Sequence, residues 1–237
     1  MLTHILTETH FYQAISLTEW QGDVVQVLLR PITKHPLNYQ AGQYIHVAYP
    51  SGNWLPLSIA NAPRADHVIE LHIRHRPEDI ETRELLNKLQ QDRQINLTGP
   101  FGHAVYHRTP HLPLILLAGG TGIAPLKALL EQAATLNDRR RWHLYWSVRT
   151  AADFYLPVLA LQWQSRLNLT EIRIVSQPSS TTWAGRVGYA HDAVLQDHAN
   201  LAYYQVYASG PSAMVAAAYR SFIQHGLSAE RFYSDMI

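Results

Sequence analysis

The sequence predicts two domains: an N-terminal antiparallel β-barrel and a C-terminal α/β domain with a parallel sheet. Two observations predict this. Up to about residue 110, apolar residues come in short runs separated by turn signals, and beyond it strand-like runs alternate with helical patterns. A cluster of three glycines, Gly119, Gly120 and Gly122, then sits between an apolar run and a helical stretch. The polar stretch 103–111, which contains Pro110, separates the two patterns, so the domains are expected at residues 1–106 and 107–237. Apolar residues make up 47% of the 237 and charged residues 16%, a composition that can fill two cores.

In chain order, the first strand-like run is 24–29, rich in β-branched residues. Runs 44–49 and 68–74 alternate, and 94–97 repeats the pattern briefly. Turn signals at Ala41-Gly42, Pro50-Ser51-Gly52-Asn53, Asn61-Ala62-Pro63 and Thr98-Gly99-Pro100 divide them, which suits a small barrel. One helix interrupts it: Ile80, Leu85, Leu86 and Leu89 form a stripe, with Asp79 or Thr82 near its start. The second half carries strands at 112–118, 142–147, 171–176 and 205–209. Helices are expected at 123–136, 152–161, 189–197 and 212–225. Short apolar strands alternating with amphipathic helices imply a parallel sheet covered on both faces.

Composition narrows the chemistry. A net charge of +1 gives no reason to expect a nucleic-acid or membrane partner. With no cysteine, the chain has no disulfide, no thiolate nucleophile, no Cys-ligated zinc and no cysteine-bound iron–sulfur cluster. Its 14 histidines include pairs at 72/75 and 103/107, but no HExxH and no carboxylate-rich companion set, so no metal site is expected. The start lacks a basic segment followed by a long apolar run, and the longest apolar run, 112–118, is too short for a bilayer. A cytoplasmic protein is expected.

The most informative segment is Leu116-Leu117-Ala118-Gly119-Gly120-Thr121-Gly122-Ile123-Ala124-Pro125. Glycine lets a ligand approach the backbone, and the following helix offers unpaired N–H groups and a partial positive charge. That combination suits a pyrophosphate; the alternative is a tight turn that binds nothing. Gly120 and Gly122 fit the first two positions of G-x-G-x-x-G, but Pro125 takes the third, and no Asp or Glu follows the next strand to hold a ribose diol. No Gly-Lys-Ser/Thr is present, so it is not a Walker loop either. Arg149, just past that strand, suits a 2′-phosphate, a pyrophosphate, or simply a solvated surface.

Six segments taken in order carry a resemblance. They are Ala41-Gly42-Gln43-Tyr44, Leu55-Pro56-Leu57-Ser58, Gly99-Pro100-Phe101-Gly102, the glycine loop, Tyr145-Trp146-Ser147-Val148-Arg149, and Ser209-Gly210-Pro211 with Met214. Together the chain resembles the ferredoxin–NADP reductase superfamily, and within it the bacterial NAD(P)H-flavin reductases. The resemblance implies a flavin-binding barrel and a nicotinamide domain, with the flavin (FAD, FMN or riboflavin) in the cleft between them and NADH or NADPH as donor. It implies that Pro56, Leu57 and Ser58 line the flavin ring, with the Ser58 hydroxyl as the catalytic hydrogen bond to N5. His72, Ile73 and Arg74 would run along the ribityl side. Thr82 and Arg83 would hold flavin phosphate, or else serve as an N-cap and a surface charge. Gly119, Gly120, Thr121 and Gly122 would carry the dinucleotide, with Arg149 beside it. Ser209, Gly210 and Pro211 would seat the nicotinamide. Asp235 would orient its amide, supply a proton, or sit in solvent.

Three departures stand out. Leu55 replaces the arginine of the flavin motif R-x-Y/F-S/T, removing a phosphate partner. Ser209 replaces a cysteine. No long tail follows Phe232 and Tyr233, which suits a flavin that enters and leaves. Three readings follow: a flavin reductase using loosely bound or diffusible flavin, a flavin-bound reductase passing electrons to a partner oxygenase or iron–sulfur protein, and a non-catalytic nucleotide-binding module on a decayed scaffold.

Overall fold

The structure, a computed structural model, describes residues 8–108, 111–156, 163, 165–178 and 183–236. The first sheet is antiparallel and uses six strands: β1 (Thr9–Trp20), β2 (Val24–Pro31), β3 (Tyr44–Ala48), β4 (Trp54–Ser58), β5 (Ile69–Arg74) and β6 (Gln94–Phe101). Their order is β4-β3-β6-β1-β2-β5. The two edges then meet. Ile59 bridges Leu71, and the Ala60 N–H donates to the Glu70 carbonyl at 2.8 Å, so the sheet curls into the expected barrel. Helix α1 (Ile80–Gln91) packs Leu85, Leu86 and Leu89 into the barrel core, and the Asp79 carboxylate caps it through the Thr82 N–H.

Two barrel strands were not anticipated, and both have physical reasons. The inward residues of β1 begin His10, Tyr12 and Ala14, so a fully buried face shows little apolar alternation. Strand β4 holds Pro56, which reads as a breaker; the strand tolerates it by pairing in the sheet only with β3.

The second sheet has the order β10-β9-β8-β7-β11-β12. Its strands are β7 (Leu114–Gly119), β8 (Arg141–Val148), β9 (Asn168–Val175), β10 (Arg186–Val187), β11 (Gln205–Ser209) and β12 (Phe232–Tyr233). All pairings are parallel. Every residue of central β7 is buried, which explains its unbroken apolar run. One face packs on α2 (Ile123–Thr135) and on barrel residues Val24, Ala41 and Ala62. The other is covered by α3 (Ala190–Asp197) and α4 (Ser212–Gln224) through Val194, Val215, Ala218 and Phe222. The expected helix at 152–161 does not begin there. Ala151–Asp153 form one 3₁₀ turn capped by Thr150, and Phe154, Tyr155 and Leu156 continue without helix into the core; residues 157–161 lie outside the described residues. No helix among the described residues is long and apolar enough to cross a membrane.

Candidate active site

A cleft of about 540 Å³ opens between β4–β5 of the barrel and the C-terminal ends of β7, β8, β9 and β11. That end of a parallel sheet is where helix N-termini and loops converge on ligands. Pro56, Leu57, Ser58, His72 and Arg74 line it from the barrel, and Gly119, Gly120, Thr121, Gly122, Arg149, Ser209, Gly210 and Pro211 line it from the sheet. Three nominated residues are elsewhere. Ile73 alternates away from His72 and Arg74 and is buried in the barrel core. Thr82 is buried at the start of α1, its hydroxyl donating to Asp79 Oδ2 at 2.8 Å and lying 3.2 Å from the Tyr49 hydroxyl. Arg83 is exposed and donates to the Pro77 carbonyl at 3.2 Å. The cleft also recruits Arg76, Ser147, Ser176, Tyr189, Met214 and Met236. Ser147 and Ser176 stand at or just past the ends of β8 and β9, so the strand-end rule could have found them; Arg76 and Met236 carry no sequence signal.

The glycines do different jobs. Gly122 faces the Ser209 carbonyl so closely that a Cβ would fall onto it, and a Cβ on Gly119 would lie 2.8 Å from Pro211 Cδ and Met214 Sδ. Gly210, at φ +146°, would bring a Cβ within 2.8 Å of the Gly119 Cα. These three let the two loops interlock. Gly120, at φ +55°, alone among them opens toward the cleft, where the nearest atom to a Cβ is Arg74 Nη1 at 3.6 Å. The Trp146 indole N–H donates to the Gly120 carbonyl at 3.0 Å and fixes the turn from below.

Arg74, Arg76 and Arg149 line the cleft, and among the described residues no carboxylate side chain does. Among the described residues, the Nε and Nη2 of Arg74 are buried without a hydrogen-bond partner. Its Nη2 makes a long ion pair, 4.0 Å, with Asp153 Oδ1, while Asp153 Oδ2 accepts from the Thr150 backbone and hydroxyl. A desolvated guanidinium with idle donors favours an anion. Leu55 lies outside the cleft lining and packs against the barrel core.

Beneath the cleft, His72 and Glu70 belong to a buried network. Gln26 Nε2 donates to Glu70 Oε1 at 2.8 Å, and His72 Nε2 lies 2.9 Å from the same oxygen. His72 Nδ1 lies 3.1 Å from the Tyr155 hydroxyl. A carboxylate only accepts, so the partners assign the His72 proton to Nε2. Lys127 Nζ on α2 donates to Glu70 Oε2 at 2.9 Å, to the Ala60 carbonyl at 3.1 Å and to Glu131 Oε1 at 2.5 Å. Burial pushes the Glu70 carboxyl upward, but the His72 hydrogen bond and Lys127 outweigh it and hold it at about 2. Burial lowers His72, so the ring is neutral and adds no charge beneath the cleft.

A second cavity of about 480 Å³ shares Pro56, Ser58, Ser209 and Met236 with the cleft and adds Tyr44, His46, Leu126, Leu129, Tyr207 and Tyr233. Asp235 also borders it, but its Oδ1 accepts from the His103 and Ala104 N–H groups at 2.7 and 3.2 Å. Asp235 is exposed, as a tail carboxylate would be, and these two bonds tie the C-terminal segment to the end of the barrel.

Two families match the chain: one described as "Oxidoreductase FAD-binding domain" over residues 21–106, the other as "Oxidoreductase NAD-binding domain" over residues 116–220. The chain is 36% identical over 235 residues to the CDP-6-deoxy-L-threo-D-glycero-4-hexulose-3-dehydrase reductase of Yersinia pestis, covering 99% of this chain and 70% of that protein. It is 30% identical over 216 residues to the NAD(P)H-flavin reductase of Vibrio harveyi, covering 89% and 90%. Among solved structures, the Amycolatopsis cytochrome P450 reductase GcoB superposes with a TM-score of 0.84 at 28% identity, over 97% of this chain and 70% of that one.

Proposed function

We propose, from the premise that the chain belongs to the ferredoxin reductase-like family of NAD(P)H-dependent flavin oxidoreductases, that it reduces a flavin held in the cleft and passes the electrons to a separate acceptor protein. The carrying observation is the juxtaposition itself: the Pro56–Ser58 stretch of the barrel faces the glycine loop and the Ser209-Gly210-Pro211 turn across one cleft. The residues present fit both groups. Arg74 brings to the cleft two buried donors that make no hydrogen bond among the described residues, and Gly120 leaves backbone open to an anion.

Flavin supplies the ring that accepts hydride, and the protein supplies orientation and electrostatics. In this reading Pro56 and Leu57 bound the ring and Ser58 donates a hydrogen bond toward N5. Gly120 and Thr121 approach the dinucleotide pyrophosphate, and Arg149 holds that pyrophosphate or a 2′-phosphate. Ser209, Gly210 and Pro211 seat the nicotinamide. Arg74 and Arg76 replace the cation that Leu55 removes.

The acceptor protein is supported by relatives whose names describe reductases of partner enzymes, a sugar dehydrase and a cytochrome P450. The second reading, release of reduced flavin, draws on Leu55 and on the flavin-reductase relative. The test is to load the purified protein with FAD or FMN, remove excess by gel filtration, and follow NAD(P)H oxidation with and without added flavin. Retained stoichiometric flavin, with a rate indifferent to added flavin, is expected. A colourless protein whose rate saturates with free flavin transfers the weight to flavin release.

A further inference from the structure

Helix α2 begins directly after the glycine loop, and the flavin-side segment that follows Ser58 runs through Ile59, Ala60, Asn61 and Ala62. The two are joined at several points by two side chains one helical turn apart. Lys127 Nζ donates to the Ala60 carbonyl at 3.1 Å and to Glu70 Oε2 at 2.9 Å. Glu131 Oε2 accepts from the Ala62 N–H at 3.0 Å, while its Oε1 takes the third Lys127 hydrogen bond. Glu70 is itself pinned: its N–H donates to the Asn61 side chain at 2.7 Å, and its carbonyl accepts from Ala60. The lysine and Glu70 side chains are each only 10% exposed.

We propose that Lys127 and Glu131 form a positioning clamp that sets the separation between the nicotinamide loop and the flavin strand, and with it the donor–acceptor distance for hydride. The inference rests on the functional reading above. A buried ion pair is an expensive way to join two surfaces, and a well-packed apolar pair of equal volume joins them at least as stably. What ionic hydrogen bonds add is register, because they are short and directional and end on named backbone atoms. Here those atoms lie two and four residues beyond Ser58, and the clamp's other end lies five residues beyond Gly122. Hydride transfer tolerates little slack, since the reacting atoms must approach to about 3–3.5 Å in line. Neither Lys127 nor Glu131 lines the cleft, so their effect on the reaction runs through the backbone they hold and through Glu70 to His72.

The test compares wild type with Lys127→Met and with the double variant Lys127→Met/Glu70→Gln, which cuts the tie without leaving Glu70 as a buried unpaired carboxylate. Amide hydrogen exchange of the cofactor-free proteins is measured at 58–62 and 119–123, and single-turnover hydride transfer from NADH or NADPH is followed in the flavin-loaded proteins. Exchange about tenfold faster at those two segments, with the centres of β1 and β8 unchanged, is expected. Hydride transfer should slow about tenfold or more, while the NAD⁺ dissociation constant stays within about threefold. Exchange that rises evenly over both sheets, or a hydride step within about twofold of wild type, overturns the clamp. Wild type that oxidises neither nicotinamide with flavin overturns the functional reading instead, and local exchange still decides whether the clamp holds the two segments together.

Discussion

Ser58 is the last residue of β4 and borders both cavities, so a group lying along Pro56 and Leu57 meets its hydroxyl at the junction. If that hydroxyl supports charge developing at flavin N5, it matters more in the transition state than in the ground state. Ser58→Ala should then lower kcat and kcat/KM together, with flavin affinity nearly unchanged. One hydrogen bond of about 1–3 kcal/mol corresponds to roughly a 5- to 150-fold slower hydride step. Stopped-flow reduction as fast as wild type would reduce Ser58 to a strand-end residue. Arg74 shows the same economy at one side chain: strand alternation sends it into the cleft and Ile73 into the core.

At the scale of loops and helices, the glycines that look equivalent in sequence separate into two classes. Gly122 serves the contact between the β7–α2 and β11–α4 loops, and Gly120 serves open space. Gly122→Ala should therefore cost stability, because the Cβ meets the backbone of Ser209, and the thermal midpoint should fall by several degrees whether or not nucleotide is present. Gly120→Ala carries only the left-handed backbone cost of about 1–2 kcal/mol and leaves room beside Arg74. Its expected signature is a KM for reduced nicotinamide raised about tenfold in a protein that still folds and still binds flavin. If Gly122→Ala were thermally silent, or Gly120→Ala left KM unchanged, the division of labour would be wrong.

Across the whole molecule, the barrel and the parallel sheet are held partly by groups whose protonation differs between folded and unfolded chain. Glu70 is held at about 2 against an ordinary 4.5, so the folded state binds fewer protons and the group stabilises the fold above its unfolded value. That contribution, about 3 kcal/mol, is lost as pH falls from about 5 toward 2. His72 is also lowered, by burial, so charging it costs the fold from about pH 6.5 downward. Both act in one direction, and acid should loosen the junction between the two sheets. Glu70→Gln should be less stable at neutral pH yet lose less stability between pH 6 and pH 3 than wild type, as read from urea midpoints. Equal losses in the two proteins would mean that Glu70 does not drive the acid limb.

The barrel followed by a parallel sheet, the helix with its cap at Asp79 or Thr82, and the glycine loop between β7 and α2 were all legible in the sequence. Each is a local pattern, in which periodicity, a cap or a run of small residues lies within one short window. The sequence missed β1, whose buried face begins with histidine, tyrosine and alanine, and β4, whose proline hides an edge strand. It did not distinguish Gly120 from Gly122, nor find that Leu55 faces the core and Asp235 binds backbone 131 and 132 residues away. The Lys127 contacts span 57 residues to Glu70 and 67 to Ala60, and nothing local marks a lysine in an apolar helix as a clamp. Only the closure of the barrel and its seating on α2 brought those groups together, because register between distant segments is set by topology and packing rather than by the residues that flank each one.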